Sequence, residues 1–551
     1  MKVVGWIVVC VVSCSFPLPA QSVVLVLDGQ HALDHFGSAV AGAGDLNGDG
    51  VSDLLIGASR DDDAGTDAGR AVVISGTDGA VLMDFVGSSP GDRLGVSVAA
   101  AGDVNNDGFP DVIVGAEGAQ GGAGEARVLS GSDGTLLHLF TGGTFGDLFG
   151  AAVAGAGDVN GDGFDDVIVG SPGEDGAGIN AGAARVYSGF DGSLLLLFTG
   201  GSPSARLGAS VGGVGDVNGD GVDDLIVGVP GAGTNGTLSG EVRVHSGTDG
   251  ALLHAVPGGV PFAQAGVSAG GVGDLNQDGR ADFAFGAPGA GGTGAVSIVS
   301  GLDGSVLALL VGDAAGDAFG ASLDGAGDVN GDGVPDLVVG SPGGDAAFSD
   351  AGSARVFSGA DFSILHTFHG AAPGDALGSS VAGAGDLTAD GFADLVLGTP
   401  WASVGAIGAG RVTVVGIDQL VVAAPTQVAQ GTSVAFSLST TPAAPGASYV
   451  LDVSLNGSLP GILTPSPDLR TLPLNPPFLN LTYGLNPGMA ALFTDFIGVL
   501  DASGQAAPAM LIPPGPVLVG LTFSAAAVTL DPAAPIGLGR IGNAVAFQVI
   551  P

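Results

Sequence analysis

Asp158-Val-Asn-Gly-Asp-Gly-Phe-Asp-Asp166 runs straight into Val-Ile-Val-Gly170-Ser-Pro172, and the same sentence recurs along the whole first three quarters of the chain. The pattern Asp-x-Asn-x-Asp-Gly-x-x-Asp begins at Asp45, Asp103, Asp158, Asp216, Asp274 and Asp328, and a variant begins at Asp386, in steps of 54 to 58 residues. A Phe-Gly-like pair and a run of small residues precede each copy, as in Phe36-Gly37-Ser-Ala-Val-Ala-Gly-Ala-Gly44. An aliphatic run ending in Gly-x-Pro or similar follows it, for example at Gly286-Ala-Pro288 and Gly340-Ser-Pro342. Then come a run such as Ala184-Arg-Val-Tyr-Ser-Gly189, a turn, and Ser193-Leu-Leu-Leu-Leu-Phe198. Fixed-period self-similarity is the mark of a repeat architecture, and each unit reads as four short strands parted by turn signals.

The strands differ in a way that selects a propeller. The first is almost all Gly, Ala, Ser and Val, which suits the crowded axis where blades converge. The second is continuous Val/Ile/Leu, as in a strand covered on both faces. The hairpin from third to fourth strand carries Asp-Gly at Asp78-Gly79, Asp133-Gly134, Asp191-Gly192, Asp249-Gly250 and Asp303-Gly304, where glycine accepts the positive φ of a tight turn. Blade six has Asp361-Phe362 there, so its turn is expected to differ. Ser22–Gly37 aligns with Ala80–Gly95 without a gap. That match makes Val23–Leu27 an orphan fourth strand, expected to complete blade seven beside residues 410–415. The competing fourth strand is Leu420-Val-Val-Ala423.

Composition supports an all-β chain. Of the 55 acids only Glu117, Glu125, Glu174 and Glu241 are Glu; the other 51 are Asp, the acid of turns and metal loops. A hydrophobic fraction of 46% excludes a disordered chain despite 104 Gly and 31 Pro. The net charge of −42 repels phosphate backbones and anionic lipid, so no nucleic-acid partner is expected. Residues 1–20, with Lys2, the apolar Val3–Val12 and Pro17-Leu-Pro-Ala20, read as a signal peptide cut after Ala20. Val11-Val-Ser-Cys14 alternatively resembles a lipobox, with lipidation at Cys14. Both cysteines, Cys10 and Cys14, lie in this segment, so no disulfide framework is expected beyond it. No transmembrane segment is expected in the mature chain. The protein is expected to be secreted or held at the cell surface.

The Phe-Gly pair, the nine-residue acidic loop and the Gly-Ala-Pro-like triplet resemble FG-GAP repeats, which build the seven-bladed propeller of integrin α-subunit heads and of many bacterial exported proteins. The resemblance covers residues 22–416 and departs at Leu94, Leu207, Ala265 and Leu377, where the Phe is replaced. The domains expected are a propeller over 21–417 and a β-sandwich-like domain over 418–551. From Gln419 to Pro551 there are Pro-rich turns, five Asp and two Arg, with no catalytic or metal constellation.

Within each loop, positions one, three, five and nine offer side-chain oxygens and position seven its carbonyl. Oxygen ligands around a glycine-permitted turn suit Ca²⁺, with its irregular six- to eight-fold shells, better than octahedral Mg²⁺. The expected ligands are Asp45, Asn47, Asp49 and Asp53; Asp103, Asn105, Asp107 and Asp111; Asp158, Asn160, Asp162 and Asp166; Asp216, Asn218, Asp220 and Asp224; Asp274, Asn276, Asp278 and Asp282; Asp328, Asn330, Asp332 and Asp336; and Asp386, Thr388, Asp390 and Asp394. Up to seven Ca²⁺ are expected, and the resemblance implies calcium at the same positions. An EF-hand starts alike, but no Glu follows at position twelve and the flanks are strands. Asp-rich turns that merely bond their own backbone are the alternative. Loop seven is expected to bind weakly because Thr388 replaces Asn, and loop five because Arg280 brings positive charge to position seven.

Arg127, Arg185, Arg243 and Arg355 share one third-strand position, taken by Ser297 in blade five, and read as ion-pairing residues rather than a catalytic clamp. Trp401 reads as a core cap or a ligand contact in the loop between strands two and three. The resemblance implies recognition of an extracellular protein or glycan through the face opposite the acidic loops. The expected class is a non-enzymatic binding or adhesion scaffold. The alternatives are a calcium-dependent polysaccharide-active enzyme, since such repeats also occur in polysaccharide lyases and a phospholipase, or a lectin.

Overall fold

The computed structural model describes residues 20–418, Gly405 excepted, and the strands of the segment that follows. Seven four-stranded antiparallel sheets succeed one another, each a meander from an inner to an outer strand. In blade three the strands are Ala152–Gly157, Asp166–Ser171, Ala183–Tyr187 and Leu194–Thr199. Ile168 pairs with Ala154 on one side and Val186 on the other. Second strands are buried at every position, whereas outer strands are mostly exposed or half-buried, with Phe198 of blade three buried. Among the described residues helix is confined to the single turns Ala119–Gly122 and Ala290–Gly292. Each inner strand packs on the next, and Phe36–Gly44 of blade one packs on Ser380–Gly385 of blade seven, so the ring is closed. This is an all-β, seven-bladed propeller.

The core is a set of seams rather than a centre. Leu55 and Val73 of blade one pack with Leu94, Val112 and Val114 of blade two, and each sheet buries both faces against its neighbours in this way. At every seam the residue ahead of a third strand makes a single parallel bridge to the next blade's first repeat residue, from Gly69 with Leu94 round to Gly410 with Phe36. The residues that replace the Phe (Leu94, Leu207, Ala265 and Leu377) occupy these same bridges and are buried.

Ala20–Asp28 supplies the fourth strand of blade seven, beside Arg411–Asp418. The Gly29 N–H donates to the Gly410 carbonyl (2.9 Å), and Arg411 Nε donates to Asp28 Oδ1 (2.6 Å). The rival strand Val421–Ala423 pairs with Ser437–Ser439 instead. The blade-six hairpin does not differ as expected. Phe362 takes the left-handed conformation (φ 60°) and donates its N–H to the Ser358 carbonyl (2.9 Å), as Gly192 does to Ser188 (2.8 Å). Asp361 Oδ1 holds the turn by accepting the Ser363 N–H (3.0 Å), and Phe362 gains packing against the seam of blades five and six. Residues Val23–Gly416 form one compact unit. In the remainder, Ser448–Leu455 pairs with Thr522–Leu530, which pairs with Val545–Ile550. The expected signal peptide and most of the expected sandwich lie outside the described residues.

One inner-strand residue breaks the small-residue rule. Asp324 of blade six stands where other blades carry Ala or Gly, and accepts the Gly383 N–H of blade seven (3.1 Å). Desolvation pushes its carboxyl up to about 6. The native state therefore holds this proton more tightly than the unfolded chain. Its contribution is favourable below about pH 4 and is lost as pH rises through about 6. Asp324→Ala is expected to raise stability at pH 7 by about 2 kcal/mol and to remove that part of the pH dependence, as read by denaturant melts at pH 4.5 and 7. Deleting residues 21–28 is expected to expose the edge of Arg411–Asp418. The melting temperature should fall by more than about 5 °C and self-association should appear in sedimentation, whereas Asp28→Ala should cost under about 1 kcal/mol.

Candidate metal centres

All seven acidic loops join an inner strand to a second strand and so share one face of the ring. Loop three shows how the chain winds. Asp158 Oδ1 accepts the N–H groups of Gly161 (2.7 Å) and Asp162 (3.0 Å), and its Oδ2 accepts that of Gly163 (2.8 Å). Asn160 Oδ1 accepts the Asp162 N–H (2.9 Å), and Asp162 Oδ1 accepts the Phe164 N–H (3.1 Å). Asp166, fully buried, takes the Val159 N–H on Oδ2 and the Gly189 N–H on Oδ1, both at 3.0 Å. That last bond ties the loop to the hairpin between strands three and four.

The ninth aspartate repeats this bracket in five further blades: Asp53 with Leu46 and Gly76, Asp111 with Val104 and Gly131, Asp224 with Val217 and Gly247, Asp282 with Leu275 and Gly301, and Asp336 with Val329 and Gly359. In blade seven Asp394 takes Leu387 and Thr388 on one oxygen. Burial pushes the Asp111 and Asp166 carboxyls up to about 6 and that of Asp336 to about 7, against the lowering effect of their N–H donors. Position five behaves oppositely. Backbone donors Val51, Phe109 and Val222 hold Asp49, Asp107 and Asp220 below the usual range. Their outer oxygens reach Thr77 (2.8 Å), Ser132 (2.9 Å) and Thr248 (3.0 Å) on the adjoining hairpins.

Each loop thus gathers three carboxylates and a position-three oxygen around a turn the backbone has already shaped. The donors are oxygens alone, and every carboxylate oxygen with one N–H partner keeps a second lone pair. Position three adds a sharper observation. Asn47, Asn160, Asn218, Asn276 and Asn330 each accept the N–H of position five, but Asn105 Oδ1 and Thr388 Oγ1 are sealed from solvent with no hydrogen-bond partner. A buried acceptor left without a donor is costly, and a cation would satisfy it. The donor set fits a hard divalent ion such as Ca²⁺.

The structure moves one charge that the sequence placed elsewhere. Position seven of one loop can lean on position four of the loop before it, as Phe109 does on Gly48. Arg280 follows suit: its guanidinium lies over Gly219, where a Cβ would sit 1.4 Å from Nη1. Its charge belongs to loop four rather than loop five. Position eight, unremarked in the sequence, also links loops, since Asp165 Oδ2 accepts the Asp103 N–H (2.7 Å).

The recurring arginines are ion-paired: Arg127 with Glu125 (2.6 Å), Arg185 with Glu174 (2.7 Å), Arg243 with Glu241 (2.7 Å) and Arg355 with Asp313. Arg70 and Arg411 extend the set, with Asp84 and Asp28. Besides Gly87-Ser-Ser89-Pro-Gly91 in the turn between blades one and two, two inner-strand stretches carry the spacing of a serine nucleophile elbow, Gly208-Ala-Ser210-Val-Gly212 and Gly266-Val-Ser268-Ala-Gly270. Their hydroxyls are occupied as seam staples, with Ser210 donating to the Gly266 carbonyl (3.0 Å) and Ser268 to that of Gly320 (2.8 Å). Trp401 packs at a tilt on the buried His35 (centroids 4.0 Å) and is still half exposed.

A family model described as FG-GAP repeat matches residues 36–74, 94–129, 149–187, 207–245, 266–299, 319–357 and 377–415, one match to a blade. Integrin alpha-V of Gallus gallus is 34% identical over 220 residues, 37% of this chain and 21% of that protein. Integrin alpha-5 of Xenopus laevis is 32% identical over 231 residues, 38% of this chain and 21% of the relative. Integrin alpha-7 of Mus musculus is 34% identical over 156 residues, 27% and 13%. The chain therefore spans about a fifth or less of these relatives' length. Blade count, seam bridges and repeat matches agree: this is a seven-bladed FG-GAP repeat protein similar to integrin alpha subunits.

Proposed function

We propose that the protein is an exported, calcium-stabilised recognition scaffold without catalytic activity. One observation carries the reading: the two faces of the ring have opposite chemistry. The acidic loops occupy one face. The loops on the other face, between strands two and three and between blades, vary in length and expose large apolar side chains, among them Phe145 (88% exposed), Ile407 (75%) and Ile179 (70%), with Phe262, Phe348 and Trp401. Loops on a rigid scaffold are where binding residues gather, and aromatic side chains supply contact area at low entropic cost. An extracellular protein, or a glycan, is the partner class that fits; similarity to integrin alpha subunits supports the former. The acidic loops would hold Ca²⁺ through positions one, three, five, seven and nine. Bound ions offset carboxylate repulsion and stabilise the blades; they take no part in turnover.

Ca²⁺ is expected to raise the melting temperature, and chelator to lower it. An ion at ten times its dissociation constant contributes about 1.4 kcal/mol, so seven would give on the order of 10 kcal/mol. Thr388→Asn should tighten one site by restoring an amide carbonyl. Arg280→Val should tighten one too, at loop four, where its guanidinium now lies. Calorimetric titration of chelator-stripped protein reads both, and an unmoved melting temperature would refute the calcium reading. Arrays of matrix proteins and glycans, probed with and without chelator, test recognition. Binding lost on Phe145→Ser or Ile407→Ser supports it, and turnover of a polysaccharide overturns it.

A further inference from the structure

A second cluster of ligand-type side chains lies in the blade-one loops, on the face away from the acidic loops. Five blades are entered through a loop bearing an aspartate two residues before the seam bridge: Asp34, Asp92, Asp147, Asp317 and Asp375. Each braces its loop. Asp92 Oδ2 accepts the N–H groups of Ser88 (3.0 Å) and Ser89 (2.8 Å), and Asp34 Oδ2 accepts that of His31 (3.1 Å). Asp34 differs in its other oxygen. The residue is 2% exposed, and Oδ1 is sealed without any hydrogen-bond partner. Bracing therefore explains only half of this carboxylate.

Asp61 is the second anomaly. Corresponding positions hold Ala, Gly or, in blade three, Glu174, which Arg185 neutralises through two bonds of 2.7 and 2.8 Å. In blade one Val72 holds the place of that arginine, and Arg70, two residues earlier on the strand, is drawn elsewhere. Asp84 takes Arg70 Nε (2.7 Å) and Nη2 (2.5 Å), Asp63 takes Nη1 (3.1 Å), and the buried Asp61 is left 3.7 Å from that same nitrogen. His31 completes the group. Its Nδ1 lies 3.5 Å from Asp34 Oδ2 and 3.6 Å from Asp63 Oδ1. One ligand atom from each of His31, Asp34 and Asp61 falls within 4.8 Å of the others. All three border a cleft of about 270 Å³ between the N-terminal strand and blade one.

We propose that His31, Asp34 and Asp61, with Asp63 alongside, bind one divalent transition-metal ion of the zinc class. An imidazole among carboxylates selects such an ion over Ca²⁺, whose shells are all oxygen. Bonds of about 2.0–2.2 Å would place ligand atoms roughly 3.5 Å apart, so the cluster must close by about 1 Å. His31, on the surface, is the member free to swing inward. The ion would bind the Asp34 carboxylate, which holds a partnerless oxygen, and would offset its repulsion with Asp61, which Arg70 approaches only to 3.7 Å. His35, four residues from His31, packs on Trp401 instead. The site does not rest on the calcium reading of the opposite face.

Calorimetric titration of the full chain with Zn²⁺, in excess Ca²⁺ so that oxygen-only sites are occupied, tests the proposal. One Zn²⁺ per chain is expected, with a rise in melting temperature. His31→Ala and Asp61→Asn should each weaken it by at least about tenfold, while His369→Ala, at an exposed histidine of blade six, should not. His31 is a surface residue, so its variant keeps the test valid if Asp61→Asn loosens the fold; melting without Zn²⁺ reports on that. No Zn²⁺ uptake under these conditions, or uptake unchanged in His31→Ala, overturns the site.

Discussion

Backbone meets backbone at every seam, and the rest of the propeller is arranged around that contact. The glycine that ends the aliphatic run of one blade lies against the glycine of the next blade's Phe-Gly pair. A Cβ on Gly170 would stand 2.0 Å from the Gly208 carbonyl oxygen, and one on Gly398 would stand 2.2 Å from that of Gly37, where the ring closes. No side chain fits there. The second glycine of each pair is also held at positive φ, 86° at Gly208 and 83° at Gly37, which a larger residue resists. The neighbouring Phe is less constrained because it only fills seam volume. Leu, and even Ala265, can replace it while neighbouring residues make up the loss. Serine hydroxyls such as Ser322 to Gly378 and Ser380 to Gly37 (2.8 Å each) then pin the same carbonyls from the inner strand.

Close seams force a second compromise. A loop that leaves the packed inner strand and re-enters a wholly buried one must satisfy its backbone donors internally. The ninth aspartate does this, bracing loop and hairpin together from a site with no solvent. The cost is a desolvated negative charge in nearly every blade, seen in the raised carboxyls of Asp111, Asp166 and Asp336. Added to the carboxylates at positions one and five, it makes a ring of like charge on one face. Hence the shortage of basic residues has a structural meaning: six arginines are spent on third-strand ion pairs, away from the loops, while Arg280 lies over loop four. A soluble cation is the remaining source of positive charge.

Much of this was legible because it recurs. Period, strand order, the closing strand Val23–Leu27 and the acidic loops all follow from spacing, since seven copies average out local accident. What escaped was what a linear reading does not contain. The turn at Phe362 was expected to change, but tertiary packing and the Asp361 side chain hold a non-glycine in the left-handed region. Arg280 was assigned to its own loop, yet its guanidinium lies on the preceding one, over Gly219. The bracket role of the ninth aspartate was likewise invisible, because its partners, such as Gly189 for Asp166, are 23 residues away.

Repetition also supplies a criterion for function. Chemistry that recurs from blade to blade is accounted for by folding the blade; chemistry present once is not. The arginine pairs, the seam serines and the loop-bracing aspartates fall in the first class. In the second stand the grouping of Asp34 and Asp61 with His31, and the apolar side chains that the loops opposite the acidic face hold out to solvent. Both lie on loops released from seam packing, where a substitution does not disturb the glycine contacts. A closed ring with its charge gathered on one face thus leaves the other free to vary, and there the chain departs from its own pattern.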